Sequence, residues 1–343
     1  MKKNLIYASL LILLAAAVIF INYSKREAAK VPTDMDFTVA EGETVDRVIL
    51  SDKLDTADLK READHWKING KYRVMQSKMD MLLETIHKIA IHSPVANTRR
   101  EAVMKEFDSG STKVEIYRSR EDKPFRVYYV DGNTEDSKGT YMLMEIGGTK
   151  AEKPYIIKIP GFVGILNVRY FTGETEWRDT NIFDYLLEDI RQITVQYPLQ
   201  PENSFYINAV SADSFAVYPA GSVKNQKPAG HIYKEGVVKY LSSFEFLNAE
   251  AFDNNNSKKD SIINSAPFVS ITITDKTVIS KQMLVFHMPL NRRSKTQFDE
   301  RGDQLPYDLD RYYASINDGK DFVIIQDFVF GKIFRKHSDF LLK

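Results

Sequence analysis

The sequence predicts an α+β protein: an N-terminal transmembrane helix, then two tandem-duplicated lobes of mainly antiparallel sheet with helices on one face. Three observations carry this expectation. One apolar run stands at the extreme N-terminus. Short β-patterned segments bounded by turn residues fill most of the remainder, with few helical periodicities among them. The order of those segments in the first half recurs in the second.

Lys2 and Lys3 precede an apolar stretch over residues 5–21, interrupted only by Tyr7 and Ser9. At about 1.5 Å per residue it approaches the roughly 30 Å hydrocarbon core of a bilayer. Tyr23 falls where an interfacial aromatic belongs, and Lys25 and Arg26 can snorkel to headgroups. A cleaved signal peptide is the rival reading, with Ala15 and Ala17 as the small residues of the cleavage site. The apolar run continues past them, which favours an uncleaved anchor. Either way the body is exported, and with the anchor retained the expected location is the cytoplasmic membrane, single-pass, with the body facing the periplasm. Residues 1–27 form the anchor and its flank; 28–170 and 171–343 are the expected repeats.

In the first repeat, the stretch from Val45 to Leu50 reads as a strand, and Asn69-Gly70 closes a hairpin after Trp66 to Ile68. Met79, Leu82, Leu83, Ile86, Ile89 and Ala90 share one helical face. A second, more polar helix covers residues 97–107. Strands follow at 113–118, 125–130, 141–146 and 155–159. The second repeat answers with strands at 191–197, 204–208 and 214–218, and a helix over 237–247 extended by Ala251 and Phe252. Strands at 268–274, 283–288, 312–317 and 322–326 complete it.

Composition narrows the function. Lys plus Arg and Asp plus Glu each number 47 in 343 residues, so the basic excess of a nucleic-acid binder is missing. Cys is absent, which excludes disulfides, thiolate metal sites and a cysteine nucleophile. Asp108-Ser109-Gly110 resembles the core of an aspartic protease loop, but that chemistry needs two carboxylates sharing a proton and no second copy exists. The six histidines are scattered with no metal-binding spacing. The acidic segment 299–310 lacks the ligand alternation of a calcium loop and reads as solvated. No catalytic residue, cofactor or metal is expected.

Residues 159–179 concentrate aromatic, acidic and Arg side chains. Phe162, Arg169, Tyr170, Phe171, Glu176, Trp177, Arg178 and Asp179 are the candidate interaction surface, because Trp, Tyr and Arg dominate binding hot spots. The same mixture suits a structural joint with Trp177 as core, and both readings stand.

Several of these segments also carry a resemblance. The N-terminal anchor, residues 66–72 (WKINGKY), 82–86 (LLETI), 139–142 (GTYM), 159–162 (IPGF), 169–171 (RYF) and 176–179 (EWRD) resemble envelope proteins grouped as domain of unknown function family 4340, in versions from Bacteroidota-like organisms. The resemblance is stronger before residue 185 than after it. It implies no catalytic residues; related domains accompany auxiliary proteins of gliding-motility-type ABC transporters, which implies an accessory role at a transporter. The expected function is therefore a non-enzymatic accessory or scaffold protein, anchored in the membrane through residues 5–21 and binding another envelope protein. A periplasmic module taking a glycan, peptide or lipid is the alternative, and it requires a concave apolar pocket with a few converging polar groups.

Overall fold

A computed structural model describes residues 36–118, 121–211, 214–220 and 231–342. The expected membrane span at residues 5–21 lies outside the described residues. Among those described, no helix is long and apolar enough to cross a membrane. The chain divides into two compact units, the first ending at Asp179 and the second starting at Thr180.

The first unit runs β1 (Val45–Ser51), β2 (Thr56–Arg61), β3 (Trp66–Ile68), β4 (Tyr72–Arg73), α1 (Gln76–Lys88), β5 (Ala90–Pro94) and α2 (Asn97–Gly110). It continues with β6 (Thr112–Arg118), β7 (Arg126–Asn133), β8 (Thr140–Ile146), β9 (Thr149–Lys150), β10 (Tyr155–Lys158) and α3 (Glu174–Trp177). Its sheet has the order β4-β3-β2-β1-β6-β7-β8-β10-β5, with β9 paired to β8. Every pairing is antiparallel. Asn69 and Gly70 both have positive φ, 52° and 66°, and Lys71 N–H donates to Ile68 C=O at 3.0 Å, the tight turn that this dipeptide favours.

The second unit runs β11 (Asn181–Phe183), β12 (Ile190–Gln196), β13 (Phe205–Ser211), β14 (Ser214–Pro219), α4 (Lys234–Leu241), β15 (Leu247–Asn248), β16 (Ala251–Phe252) and α5 (Lys259–Ile263). Then come β17 (Val269–Asp275), β18 (Ser280–His287), β19 (Arg311–Ile316), β20 (Asp321–Gln326) and α6 (Asp327–Phe330). Its main sheet has the order β14-β13-β12-β17-β18-β19-β20-β16, beside the small pair β11-β15.

Strand for strand, this is the order of the first sheet without β4 and β9. The agreement extends to register. β1 pairs with β6 through a bulge between Val45 and Arg47, and β12 pairs with β17 through a bulge between Ile190 and Gln192. An extra residue resets the inside-outside alternation. It lets Val45 face the core together with Val48 and Leu50, and Ile190 together with Ile193 and Val195. Each unit also closes in the same way. Met75 N–H donates to Trp177 C=O and Asp179 N–H to Arg73 C=O, both at 2.8 Å; Tyr233 N–H donates to Phe340 C=O at 2.8 Å and Leu342 N–H to His231 C=O at 2.9 Å.

Four expectations are corrected. The first unit carries helices on both faces of its sheet, not one. Met142 and Met144 of β8 share a core with Met79, Leu82 and Ile86 of α1, whereas the intervening Tyr141 and Leu143 pack with Val103 and Phe107 of α2. Neighbouring strand residues face opposite ways, so the two helices cover opposite faces. The helix expected to reach Ala90 ends at Lys88, because Ala90–Pro94 pairs with β10 as an edge strand. The helix expected over 237–247 ends at Leu241, and Ala251–Phe252 is a strand on β20. Finally, Lys281–Val285 of β18 occupy the places that Arg126–Val130 hold in β7, rather than residues 283–288.

Candidate functional site

The eight residues singled out in the sequence form the closing segment of the first unit, and the inner ones are core. Trp177 is 0% exposed; its Nε1–H donates to Phe171 C=O at 2.8 Å, and the two rings meet edge-on at 5.8 Å. Tyr170 is buried, its hydroxyl 3.3 Å from that of Tyr128. Arg178 is buried with its guanidinium 3.6 Å from the centre of the Tyr72 ring. Arg169 donates to Thr85 Oγ1 at 2.9 Å and covers the exposed Phe162 ring at 4.7 Å. Phe171 is half-buried, and the exposed Glu176 accepts the Lys78 ammonium through its backbone carbonyl. Asp179 lies 3.8 Å from Arg73 Nε. Residues 171–179, expected to open the second repeat, thus complete the first. Tyr170, Trp177 and Arg178 face inward and present no recognition surface.

Other sequence candidates are spent on structure. Asp108 lies in the last turn of α2 and pairs with Lys150 Nζ at 3.0 Å, so Asp108-Ser109-Gly110 ends a helix. Asp299 turns its carboxylate onto the N–H groups of Arg301 and Asp303, each at 2.9 Å. Among the described residues, no three His, Asp or Glu side chains are grouped to hold a metal.

A site that the sequence reading missed lies in the second unit, at the end of the sheet where β12, β17, β18 and β19 meet. A cavity of about 340 Å³ opens there, lined by Tyr197, Leu199, Gln200, Ile262, Ser265, Ala266, Phe268, Phe286, His287, Pro289 and Tyr307. Tyr197 and His287 each follow a core residue, Val195 and Val285, by two positions, so strand alternation carries both rings onto the core side. Phe268 meets Tyr197 edge-on at 5.7 Å and stacks on Tyr312 at 5.9 Å. His287 lies 4.6 Å from Phe268 and stacks on Tyr307 at 3.7 Å. Each such ring pair contributes about 0.5–1.5 kcal/mol beyond its buried area.

The outer wall is a loop, residues 288–310, that supplies Pro289 and Tyr307. It contains the residues read as a solvated acidic segment, and one of them is core. Asp308 is 1% exposed, accepting from Ser294 Oγ at 2.6 Å, Asp310 N–H at 2.8 Å and Arg311 N–H at 3.2 Å. Its own N–H donates to Met288 C=O at 2.8 Å, tying the end of the loop back to its start. A buried carboxylate is tolerated because donors surround it.

None of the lining residues carries a formal charge. Burial lowers the His287 pKa below its usual value of about 6.5, so the imidazole is neutral at pH 7. Its Nδ1 is buried and has no hydrogen-bond partner among the described residues. The site therefore offers flat apolar walls edged by the polar side chains of Gln200 and Ser265, without a charge, a nucleophile–base pair or paired carboxylates.

The first unit lacks this site at the matching positions. By strand register, Asp52, Ser111, Gly132 and Thr140 stand where Tyr197, Phe268, His287 and Tyr312 stand. The long loop 288–310 is there a short turn at residues 134–139. In place of α2, which covers one sheet face of the first unit, the second has the short α5, followed by Ser265 and Ala266 at the pocket rim. The first unit builds the same strand order without the aromatic cluster.

Compared with known proteins, the chain matches no family model and no curated protein. The resemblance to envelope family 4340 accordingly rests on the quoted motifs alone.

Proposed function

We propose that the protein is a non-enzymatic binding protein of a bacterial cell envelope, anchored through residues 5–21 with both units in the periplasm, and that it binds a neutral ligand in the aromatic pocket of the second unit. The observation that carries the reading is the asymmetry of the two units. One architecture is built twice, and among the described residues only the second copy combines the aromatic cluster with a long loop. Long ordered loops on a rigid sheet are a common way of adding a binding site to a fold.

The chemistry of the walls indicates the ligand. Uncharged lining disfavours a carboxylate, phosphate or ammonium, whose desolvation would go uncompensated. Stacked rings favour a flat apolar face, and the Gln200 and Ser265 side chains favour a polar edge. A sugar ring, with an apolar face and hydroxyl edges, meets both requirements. The volume is at the lower end of small-molecule sites, which run from about 300 to 1,000 Å³. Of the alternatives open in the sequence, this geometry favours the ligand-binding module over the accessory protein docking through residues 162–179, since Trp177 and Tyr170 are engaged inside their own unit.

The test is a titration of the full chain in neutral detergent micelles with neutral mono- and disaccharides, following the His287 imidazole resonances by NMR. Both tryptophans, Trp66 and Trp177, lie in the first unit, so tryptophan fluorescence would not report on this pocket. A saturable shift at His287, lost in Tyr307→Ala, is the expected result. A photo-crosslinker at Leu199 distinguishes the readings. Silence at His287 together with a crosslinked membrane protein would replace the sugar site with a protein-docking site.

A further inference from the structure

We propose that a second pocket, on the α4 side of the second unit, binds a phosphate group. This site is independent of the aromatic pocket, and the comparison of the two units again exposes it. Tyr233 and Phe340 close the second unit as Met75 and Trp177 close the first, so Gly236 takes the place of Lys78 and Asp339 that of Glu176. In the first unit the Lys78 side chain fills the space: its ammonium donates to Glu176 C=O and lies 5.7 Å from the centre of the Phe171 ring. In the second unit Gly236 has no side chain to put there, and a cavity of about 330 Å³ remains.

Its polar lining is rich in donors and poor in acceptors. Lys239, Lys332 and Arg335 border the cavity, against the single carboxylate of Asp339. That carboxylate already accepts the Lys336 backbone N–H at 3.0 Å. The neutral groups are committed inward: Tyr240 hydroxyl donates to Ile333 C=O at 3.3 Å and Ser243 hydroxyl to Tyr240 C=O at 2.5 Å. Among the described residues, the side chains of Lys239, Lys332 and Arg335 make no ion pair. Three cations against one carboxylate leave an excess that matches the charge of a phosphate monoester, about −1.5 to −2 at pH 7, better than that of a lone carboxylate. Arg335 adds the planar fork that binds two phosphate oxygens at once. The group can arrive on a soluble ester or on a lipid headgroup, and the chemistry of capture is the same.

The test uses the full chain in neutral detergent micelles at fixed ionic strength, with NMR observation of the Lys332, Arg335 and Gly236 amides. One arm titrates inorganic phosphate against chloride; the other dopes the micelles with phosphatidic acid, whose headgroup is a phosphate monoester. Saturable shifts with inorganic phosphate identify a soluble source, and shifts only with the doped micelles identify a headgroup. In either case the Lys332→Gln, Arg335→Gln double variant should weaken binding by about tenfold or more, since two charge-assisted contacts are lost. Gly236→Leu, which fills the cavity without adding a cation, should abolish it. A Cβ at Gly236 would come within 2.4 Å of the Tyr233 ring, so this variant requires that exposed ring to swing aside. Should it fail to fold, the double variant decides, because both its side chains are exposed. No saturable response in either arm, or a response that the double variant leaves unchanged, overturns the proposal.

Discussion

Replacing Trp177 with alanine separates a structural plug from a recognition residue. The ring is fully buried, so the substitution removes about 150–250 Å² of buried aromatic surface. At about 25 cal/mol per Å² that is roughly 4–6 kcal/mol, an upper estimate because the unfolded chain also buries part of it. Loss of the Nε1–H bond to Phe171 C=O and of the edge-on contact with the Phe171 ring acts in the same direction. Measured Trp and Phe to Ala changes in cores centre on about 3–5 kcal/mol, and that range is the expectation here. The assay is urea unfolding followed by the fluorescence of Trp66, which is buried in the same unit and reports on it alone. With a slope near 2 kcal/mol per M, the midpoint should fall by roughly 1.5–2.5 M. A fall below about 0.5 M would refute the packing argument and return Trp177 to the recognition reading.

Two further outcomes follow from the second unit. Burial lowers the pKa of both His287 and His337, so between their folded values and the unfolded value near 6.5 the unfolded chain binds more protons. Stability of this unit is therefore at its plateau above about pH 6.5 and declines as pH falls below it; a urea midpoint followed by circular dichroism should move down from pH 7 to pH 5, and a His287→Phe, His337→Phe variant should flatten that slope. Asp308→Ala leaves the Ser294 hydroxyl and two N–H groups without their acceptor, a loss of about 1.5–3 kcal/mol. It should free loop 288–310, seen as new proteolytic cleavage within that loop while β12 and β17 stay protected; an unchanged digestion pattern would mean that the loop is held by something other than its buried carboxylate.

The strands were legible because alternation and turn chemistry are local. Val114 and Ile116, or Ile271 and Ile273, announce a buried face without any knowledge of the partner strand. The repeated order was legible for the same reason, since each copy follows the same local rules. Helix ends were less so: nothing local says that Ala90–Pro94 or Ala251–Phe252 will leave a helix, because the competing edge of a sheet is supplied by residues far along the chain. The bulges at Asp46 and Arg191 belong to the same class.

The sites were hidden more deeply. Tyr197, Phe268, His287 and Tyr307 follow no motif, and each taken singly reads as an ordinary core aromatic. The signal that finds them is comparative: aligned by strand register, the first copy has Asp52, Ser111 and Gly132 where the second has three rings. Reading that signal from sequence needed an alignment good to the residue, and β18 was displaced by about three positions. Residues 162–179 misled in the opposite direction, because Trp, Tyr and Arg satisfy the composition of a hot spot and of a buried closing segment equally well. By itself the sequence determined the antiparallel α+β character of both units, since side-chain periodicity and turn chemistry are properties of neighbouring residues. Only the tertiary structure decided which aromatics face a cavity and which fill the core, because burial depends on what the rest of the chain brings to the other side of each ring.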